Sequence, residues 1–230
     1  MLILKISNKK FLHFFNSYVS NEIINLKNNP KQYVLHDNLF NYKWVKILPI
    51  HYLKLYEEII SQNIINSMNY AEYVLQSRFE LGEPIIATNA THSFNYAFTI
   101  LKSRFELGEP IIATSIIYSL FYAQYVLDGK FELGESIMAT EPNCAYEYAR
   151  YVLKERFELG EAIIATDAYC ACNYAIHVLN GRFELGELTI QYNPEFCAKY
   201  IEFLQTKYPI DKQNKASSVL ENIITSDRLL

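Results

Sequence analysis

The 230-residue chain is predicted to be all-α, an α-solenoid of about six 26-residue two-helix repeats with N- and C-terminal caps. The first observation behind this is a hexapeptide, Arg-Phe-Glu-Leu-Gly-Glu, whose Phe recurs at 79, 105, 131, 157 and 183, with a Lys replacing the Arg once. A fixed period of this length is typical of solenoids, in which each unit stacks on its neighbours to bury its apolar face. The second is that helix-capping residues and glycines recur at fixed positions within this period.

The period divides the chain into three regions. Residues 1–51 lack the pattern and are predicted to form an N-terminal cap, and residues 208–230 a C-terminal cap or tail with one helix at 215–226, because a solenoid needs terminal elements to cover its core. The array itself is predicted to cover 52–207. We number its segments as I (52–77), II (78–103), III (104–129), IV (130–155), V (156–181) and VI (182–207), and count positions 1 to 26 from the Arg or Lys of the hexapeptide.

Position 12 begins the longer helix of each segment. It holds residues suited to capping in four of five copies, and proline follows at Pro142 and Pro194, as at the first turn of a helix. The residues at position 12 are Asn89, Ser115, Glu141, Asp167 and Asn193. The long helix is therefore predicted from position 13 to about position 25.

All seven glycines lie at two positions of the segment. Glycine at position 26, in Gly129 and Gly181, is predicted to end the long helix, and glycine at position 5 to form a sharp turn with positive φ. Positions 6 to 11 then form a short helix, for which Pro84 and Pro110 are suitable first residues.

The long helix has one apolar stripe, at positions 16, 20, 23 and 24. Position 16 is Ser or Ala, position 20 is Ala, and the other two are Val or Ile and Leu, so this face is predicted to form the core and to let another helix approach closely. Tyrosine at position 19 is shared by the segments and is interpreted as a packing residue.

The opposite face, at positions 14, 18, 21 and 25, differs between segments and is predicted to bind a partner. Its candidate binding residues are Phe98, Phe121, Gln124, Glu147, Arg150, Tyr169 and Asn173. A flank at positions 15 and 22 has two interpretations, lateral contacts between helices or an aromatic binding strip, since tyrosine is favoured at interfaces.

The hexapeptide glutamates, such as Glu80 and Glu83, also allow two interpretations. An acid pair or a ladder for divalent cations is one. The favoured one is structural: exposed Glu and Arg alternate along a ridge, where each pair contributes about 0–1 kcal/mol, and the second Glu interacts with the dipole of the short helix.

Composition predicts a cytoplasmic, non-enzymatic protein without cofactor, metal, nucleic-acid or membrane partner. The net charge is −4 with no basic stripe, and the sequence contains neither a phosphate-binding loop nor a long apolar span. The four cysteines are predicted to be reduced, because stacked helices keep equivalent Cα atoms too far apart for a disulfide. A zinc site from Cys144, Cys170, Cys172 and His177 is the sharpest metal hypothesis, but no Cys-x-x-Cys spacing supports it.

The pattern Tyr-Ala-x-x-Val-Leu-x-x-Arg-Phe-Glu-Leu-Gly-Glu-x-Ile-Ile-Ala-Thr, as at 148–166, resembles a short helical repeat of uncharacterised phage and large-virus proteins. The resemblance covers about 52–207 and implies a viral source, hence the host cytoplasm, but no activity. More loosely, the helix pairs resemble tetratricopeptide and Sel1-type solenoids, which implies a protein-binding scaffold.

Two functions follow as hypotheses. The first is a non-enzymatic helical-repeat scaffold that binds a protein or peptide through the variable face. The alternative is a small-molecule or nucleotide-binding, sequestering protein with a pocket where the N-terminal region meets the first segments.

Overall fold

A computed structural model describes residues 50–208 and four isolated helical residues at 17, 21, 24 and 28. Every regular element within 50–208 is a helix, which confirms the all-α prediction for this part of the chain. The predicted caps fall almost wholly outside the described residues, and so does the helix predicted at 215–226.

The chain divides into two compact units, Met1–Ile111 and Ile112–Leu230. In the first unit the helix Ile50–Ile60 stands in the place of the short helix of segment I, and each long helix changes from α to π geometry half-way along. Its helices are Ile50–Ile60, Ile64–Asn69 continued by the π-helix Tyr70–Leu75, the 3-10 turn Glu80–Gly82 continued by Glu83–Ile86, Ala90–Asn95 continued by the π-helix Tyr96–Leu101, and Glu106–Gly108 continued by Glu109–Ile112, which ends at the boundary.

The second unit repeats the same alternation of long and short helices. Its helices are Ile116–Tyr122 continued by the π-helix Ala123–Leu127, Glu132–Met138, Pro142–Glu147 continued by Tyr148–Leu153, Glu158–Ile164, Ala168–Tyr174 continued by Ala175–Leu179, Glu184–Gly186 continued by Glu187–Gln191, and Pro194–Lys207.

The start of each long helix agrees with the predicted cap at position 12. The Asn89 side chain accepts a hydrogen bond from the backbone N–H of His92 at 3.1 Å. The carboxylates of Glu141 and Asp167 do the same for the N–H three residues on. Each cap satisfies a backbone donor that the first turn would otherwise leave unpaired.

The end of each long helix differs from the prediction by one residue. The left-handed residue is at position 25, with φ between 45° and 57°, and it is never a glycine; these residues are Gln76, Lys102, Asp128, Lys154 and Asn180. The N–H at position 26 donates to the carbonyl at position 20, as Gly129 does to Ala123 at 3.0 Å. The bond joins residues six apart, one more than the six-to-one bond of a Schellman motif, because it closes a π-helix, whose hydrogen bonds span one residue more than those of an α-helix.

Glycine at position 5 is also placed differently, because it lies inside the short helix and has no positive φ. Its role is close packing. A Cβ added to Gly134 would lie 2.6 Å from Cδ1 of Phe131 and 2.8 Å from Cβ of Ser119 on the preceding long helix. The missing side chain therefore lets the short helix of one segment approach the long helix of the segment before it.

The core follows the predicted stripe in part. In segments II to V, positions 16 and 20 are fully buried, as in Ala145 and Ala149, whereas positions 23 and 24 are only half-buried. Tyrosine at position 19 is fully buried, and its ring meets the Phe of the next segment edge-on, with 5.1 Å between the ring centroids of Tyr148 and Phe157. This tyrosine, with the alanine that follows it, forms the centre of each segment.

Candidate binding surfaces

The Arg and second Glu of the hexapeptide form an internal network instead of an exposed ridge. In segment V, Arg156 Nε and Nη2 lie 2.6 Å and 2.7 Å from the two carboxylate oxygens of Glu161. The buried hydroxyl of Tyr174 donates to Glu161 Oε1 at 3.0 Å and accepts from the N–H of Phe157 at 2.9 Å. The second Glu lies in the first turn of its short helix, as predicted, and burial of its carboxylate requires these partners.

The same network sets the pKa of the tyrosines at position 19. Burial raises the pKa of Tyr174 far above its ordinary value, and the neighbouring Glu161 carboxylate raises it further, although the Phe157 N–H opposes both. Tyr96 and Tyr148 have the same causes of a raised pKa. These hydroxyls stay protonated at neutral pH and act as structural donors.

The first Glu and the Leu of the hexapeptide remain exposed. The five leucines keep 52% to 58% of their surface accessible: Leu81, Leu107, Leu133, Leu159 and Leu185. They lie outside the long-helix face on which the binding residues were predicted. The sequence feature that could have identified them is that the same leucine occurs in every copy of the hexapeptide.

The predicted site residues differ in exposure. Phe98, Phe121 and Tyr169 are exposed, at 47%, 37% and 47%, whereas Gln124, Glu147 and Arg150 are half-buried. The prediction placed Asn173 on the exposed face, but it is buried at 3%. Its amide nitrogen donates to the carbonyl of Tyr169 and its oxygen accepts from Lys199, both at 2.8 Å, so a contact across segments covers it.

A groove of about 690 Å³ lies between the long helices of segments III and IV. Two of the predicted residues, Phe121 and Glu147, line it, so the structure brings them together although they belong to different segments. Its apolar wall includes Ile117, Leu120 and Ile137. Ile117 is 60% exposed, an unusual degree for a large aliphatic side chain.

The groove is acidic at its rim. The charged residues that line it are both carboxylates, Glu141 and Glu147, and no lysine or arginine is among its lining residues. The Cys144 thiol also lines the groove, but burial raises its pKa to about 12, with the Glu141 and Glu147 carboxylates adding to the shift. The thiol is therefore neutral and is a poor nucleophile at physiological pH.

Next to the groove, Arg150 and Tyr169 take part in an aromatic cluster around Tyr146. The Arg150 guanidinium donates to the hydroxyl of Tyr146 and lies 5.0 Å from the ring centroid of Tyr151. The exposed ring of Tyr169 meets the rings of Tyr146 and Phe196 edge-on, at 6.3 Å and 5.7 Å. We call these residues the Tyr146 cluster.

The flank at positions 15 and 22 divides between its two interpretations. Cys144 and Cys170 at position 15 are buried, which fits lateral packing, whereas Tyr125 and Tyr151 at position 22 are about half exposed. The four cysteines are free and buried. Within 50–208, no group of three or more His, Cys, Asp or Glu side chains could hold a metal ion, so nothing there supports the zinc hypothesis.

No protein-family model, curated protein or solved structure matches this chain. None of the helices described within 50–208 has the length and hydrophobicity to cross a lipid bilayer.

Proposed function

We propose that this protein is a non-enzymatic helical-repeat scaffold that binds a peptide segment of another protein in the groove between segments III and IV. The observation that carries the proposal is the groove itself: an apolar depression with an acidic rim, on the helix face whose residues vary between segments. A face that varies while the core repeats is suited to one non-repeating partner.

The chemistry of the groove defines the partner. Its apolar wall favours an aliphatic or aromatic side chain, and the carboxylates of Glu141 and Glu147 favour a Lys or Arg beside it. The same carboxylates disfavour a phosphate group. A nucleotide pocket near the N-terminal region, the alternative function, falls outside the described residues and stays a prediction.

The small size of the groove indicates that the bound peptide extends beyond it. Burying two or three apolar side chains contributes about 3–9 kcal/mol, whereas association costs about 4–15 kcal/mol. The groove alone is therefore too small for tight binding. The adjacent Tyr146 cluster, with the exposed ring of Tyr169, offers the aromatic area and the hydrogen-bonding hydroxyls that interfaces favour.

The proposed architecture is an α-solenoid of about six repeats. It is supported by one contact that recurs within each unit: a ring centroid separation of 5.1 Å joins Tyr96 to Phe105 in the first unit, and Tyr148 to Phe157 in the second. The viral source and the cytoplasmic location implied by the resemblance remain predictions.

Selection of short random peptides on the full-length protein tests the proposed function. We expect the selected peptides to share an apolar residue next to Lys or Arg. Because Glu147 lies on the rim, Glu147→Lys should weaken their binding by about tenfold or more. Fluorescence polarisation with one labelled peptide measures this loss.

Glu155→Lys is the matched control. It makes the same charge change at an exposed position outside the groove, so the affinity should change by less than about twofold. Equal binding to wild type and Glu147→Lys, or selected peptides without any basic residue, would contradict the proposal.

A further inference from the structure

The leucine of the hexapeptide is constant and exposed, and so is the first Glu, which pairs with the cation of its own segment in segments IV and VI. The other four residues each have an internal role: Arg forms an ion pair with the buried carboxylate of the second Glu, Phe meets the preceding tyrosine, and Gly permits close packing. Leucine at position 4 remains more than half exposed in all five copies. Exposed leucines that recur identically require another explanation.

Recent duplication of the segments does not explain this constancy. Position 7 lies on the same short helix and is exposed in every copy, yet it varies between segments. Its residues are Pro84, Pro110, Ser136, Ala162 and Leu188. The constancy therefore belongs to the exposed Glu and Leu, and not to the exposed surface of the short helix as a whole.

In the second unit these leucines form a row, Leu133, Leu159 and Leu185, which we call the leucine row. The short helices that carry them contact one another in succession. A depression of about 660 Å³ is lined by Leu179, Phe183 and Leu185 together with the charged residues Arg156, Glu161, Arg182 and Glu184. The row thus consists of projecting leucines with charged side chains beside them.

Both signs of charge accompany the row. Arg156 uses Nε and Nη2 to bind Glu161, and within the described residues its Nη1 has no hydrogen-bond partner. Glu158, next to Leu159, likewise has no hydrogen bond or ion pair there and is exposed. Segment V therefore presents a cationic donor and a carboxylate within three residues of its leucine, whereas in segments IV and VI the cation and the first Glu pair with each other, at 3.6 Å and 3.4 Å.

We infer that the leucine row binds the leucine row of a second copy of this chain. A surface that repeats the same residues every 26 positions matches a partner that repeats at the same spacing, and this chain has that spacing. A two-fold axis at segment V would place leucines against leucines and Glu158 of one copy against Arg156 of the other. This is the self-complementarity that an isologous interface requires.

This interface is independent of the groove between segments III and IV. The groove lies on a varying face and takes a non-repeating peptide, whereas the leucine row is constant and takes an identical row. Pairing of two leucine rows would leave the groove on the long helices available to its own partner.

Sedimentation equilibrium of the full-length protein tests the inference. We expect wild type to have about twice the monomer mass of 26.8 kDa. The double variant Leu159→Glu and Leu185→Glu should raise the dimer Kd by about tenfold or more, because it places carboxylates in an apolar contact. The matched control, Leu188→Glu with Tyr192→Glu, makes two equally drastic changes at exposed positions off the row and should leave the dimer intact.

A second variant keeps the leucines and tests the charges. Glu158→Lys should weaken the dimer, because it sets Lys against Arg156 of the other copy, and circular dichroism should show an unchanged helix content. A wild type that stays monomeric at roughly 100 μM overturns the inference. So does a dimer that survives the charge variant, or a folded leucine variant with unchanged mass.

Discussion

At position 5 the space that a Cβ would fill is already occupied by the side chains around it. In Gly134 these are the ring of Phe131 and the side chain of Ser119 from the preceding long helix. Two helices of different segments therefore meet at backbone distance, and the Phe ring covers the junction. Gly129, at position 26, has no such neighbour, since the nearest atom to a Cβ there is a backbone oxygen 3.8 Å away.

Gly134→Ala is expected to lower the free energy of unfolding by about 1–3 kcal/mol, because the added methyl group overpacks this junction. Gly129→Ala should instead stabilise the protein by about 0.4–1 kcal/mol, since its φ is negative and alanine restricts the unfolded chain. Urea unfolding followed by circular dichroism measures both. A destabilisation of equal size in the two variants would show that backbone conformation, and not packing, selects glycine at position 5.

Among the secondary-structure elements, the tyrosine at position 19 connects each long helix to the short helix of its own segment. The hydroxyl of Tyr174 is held between the N–H of Phe157 and the carboxylate of Glu161, while its ring meets Phe183 of the next segment at 5.1 Å between centroids. One side chain thus fixes the position of a helix within a segment and contacts the neighbouring segment.

Tyr174→Phe is expected to cost about 1–3 kcal/mol of unfolding free energy, because it leaves the buried Phe157 N–H without an acceptor and Glu161 with one donor fewer. Tyr151→Phe provides the comparison: this tyrosine is about half exposed, so the loss should stay within about 0.5 kcal/mol. Thermal or urea unfolding of the two variants under one condition checks the difference. Equal losses of unfolding free energy would mean that the buried hydroxyl of Tyr174 contributes no more to stability than an exposed one.

The sequence predicted those elements whose signals are local. Capping at Asn89 or Asp167 depends on a side chain and a backbone N–H three residues on, and the helix starts were accordingly correct. The change to π geometry after position 18 could not be predicted, because apolar spacing alone does not distinguish hydrogen bonds to the fourth residue from those to the fifth. Position 25 was missed as the left-handed residue because glycine at 26 is the stronger sequence signal.

The candidate site was predictable only in part. Phe121 and Glu147 were found because they lie on the varying helix face, but the groove they share depends on how two segments pack. Asn173 was predicted to be exposed, but it is buried because Lys199, from the next segment, contacts it. The exposed leucines were overlooked because a constant hydrophobic residue is ordinarily a core residue.

In the whole molecule, one set of buried ionisable groups recurs from segment to segment and links stability to pH. Burial is the largest cause of a raised pKa in Tyr70, Tyr96, Tyr148, Tyr174 and Tyr200, whose ordinary value is 10.0. Burial also raises the pKa of Cys172 to about 11 and of Cys144 to about 12, from an ordinary 9.0. The folded protein therefore retains these protons at pH values where the unfolded chain loses them.

These groups should consequently leave the free energy of unfolding nearly constant below pH 9. It should fall as pH rises above 9, where the cysteines of the unfolded chain lose their protons, and fall more steeply above 10, where its tyrosines do. Each group that is deprotonated only in the unfolded chain contributes about 1.4 kcal/mol per pH unit to the fall. Urea unfolding at a series of pH values between neutral and alkaline measures this slope, and absorbance of tyrosinate reports the hydroxyls directly. Because the tyrosines become accessible only on unfolding, their absorbance should rise together with the loss of helical circular dichroism. Tyrosinate that forms at its ordinary pH for all tyrosines while the helices persist would contradict the buried network.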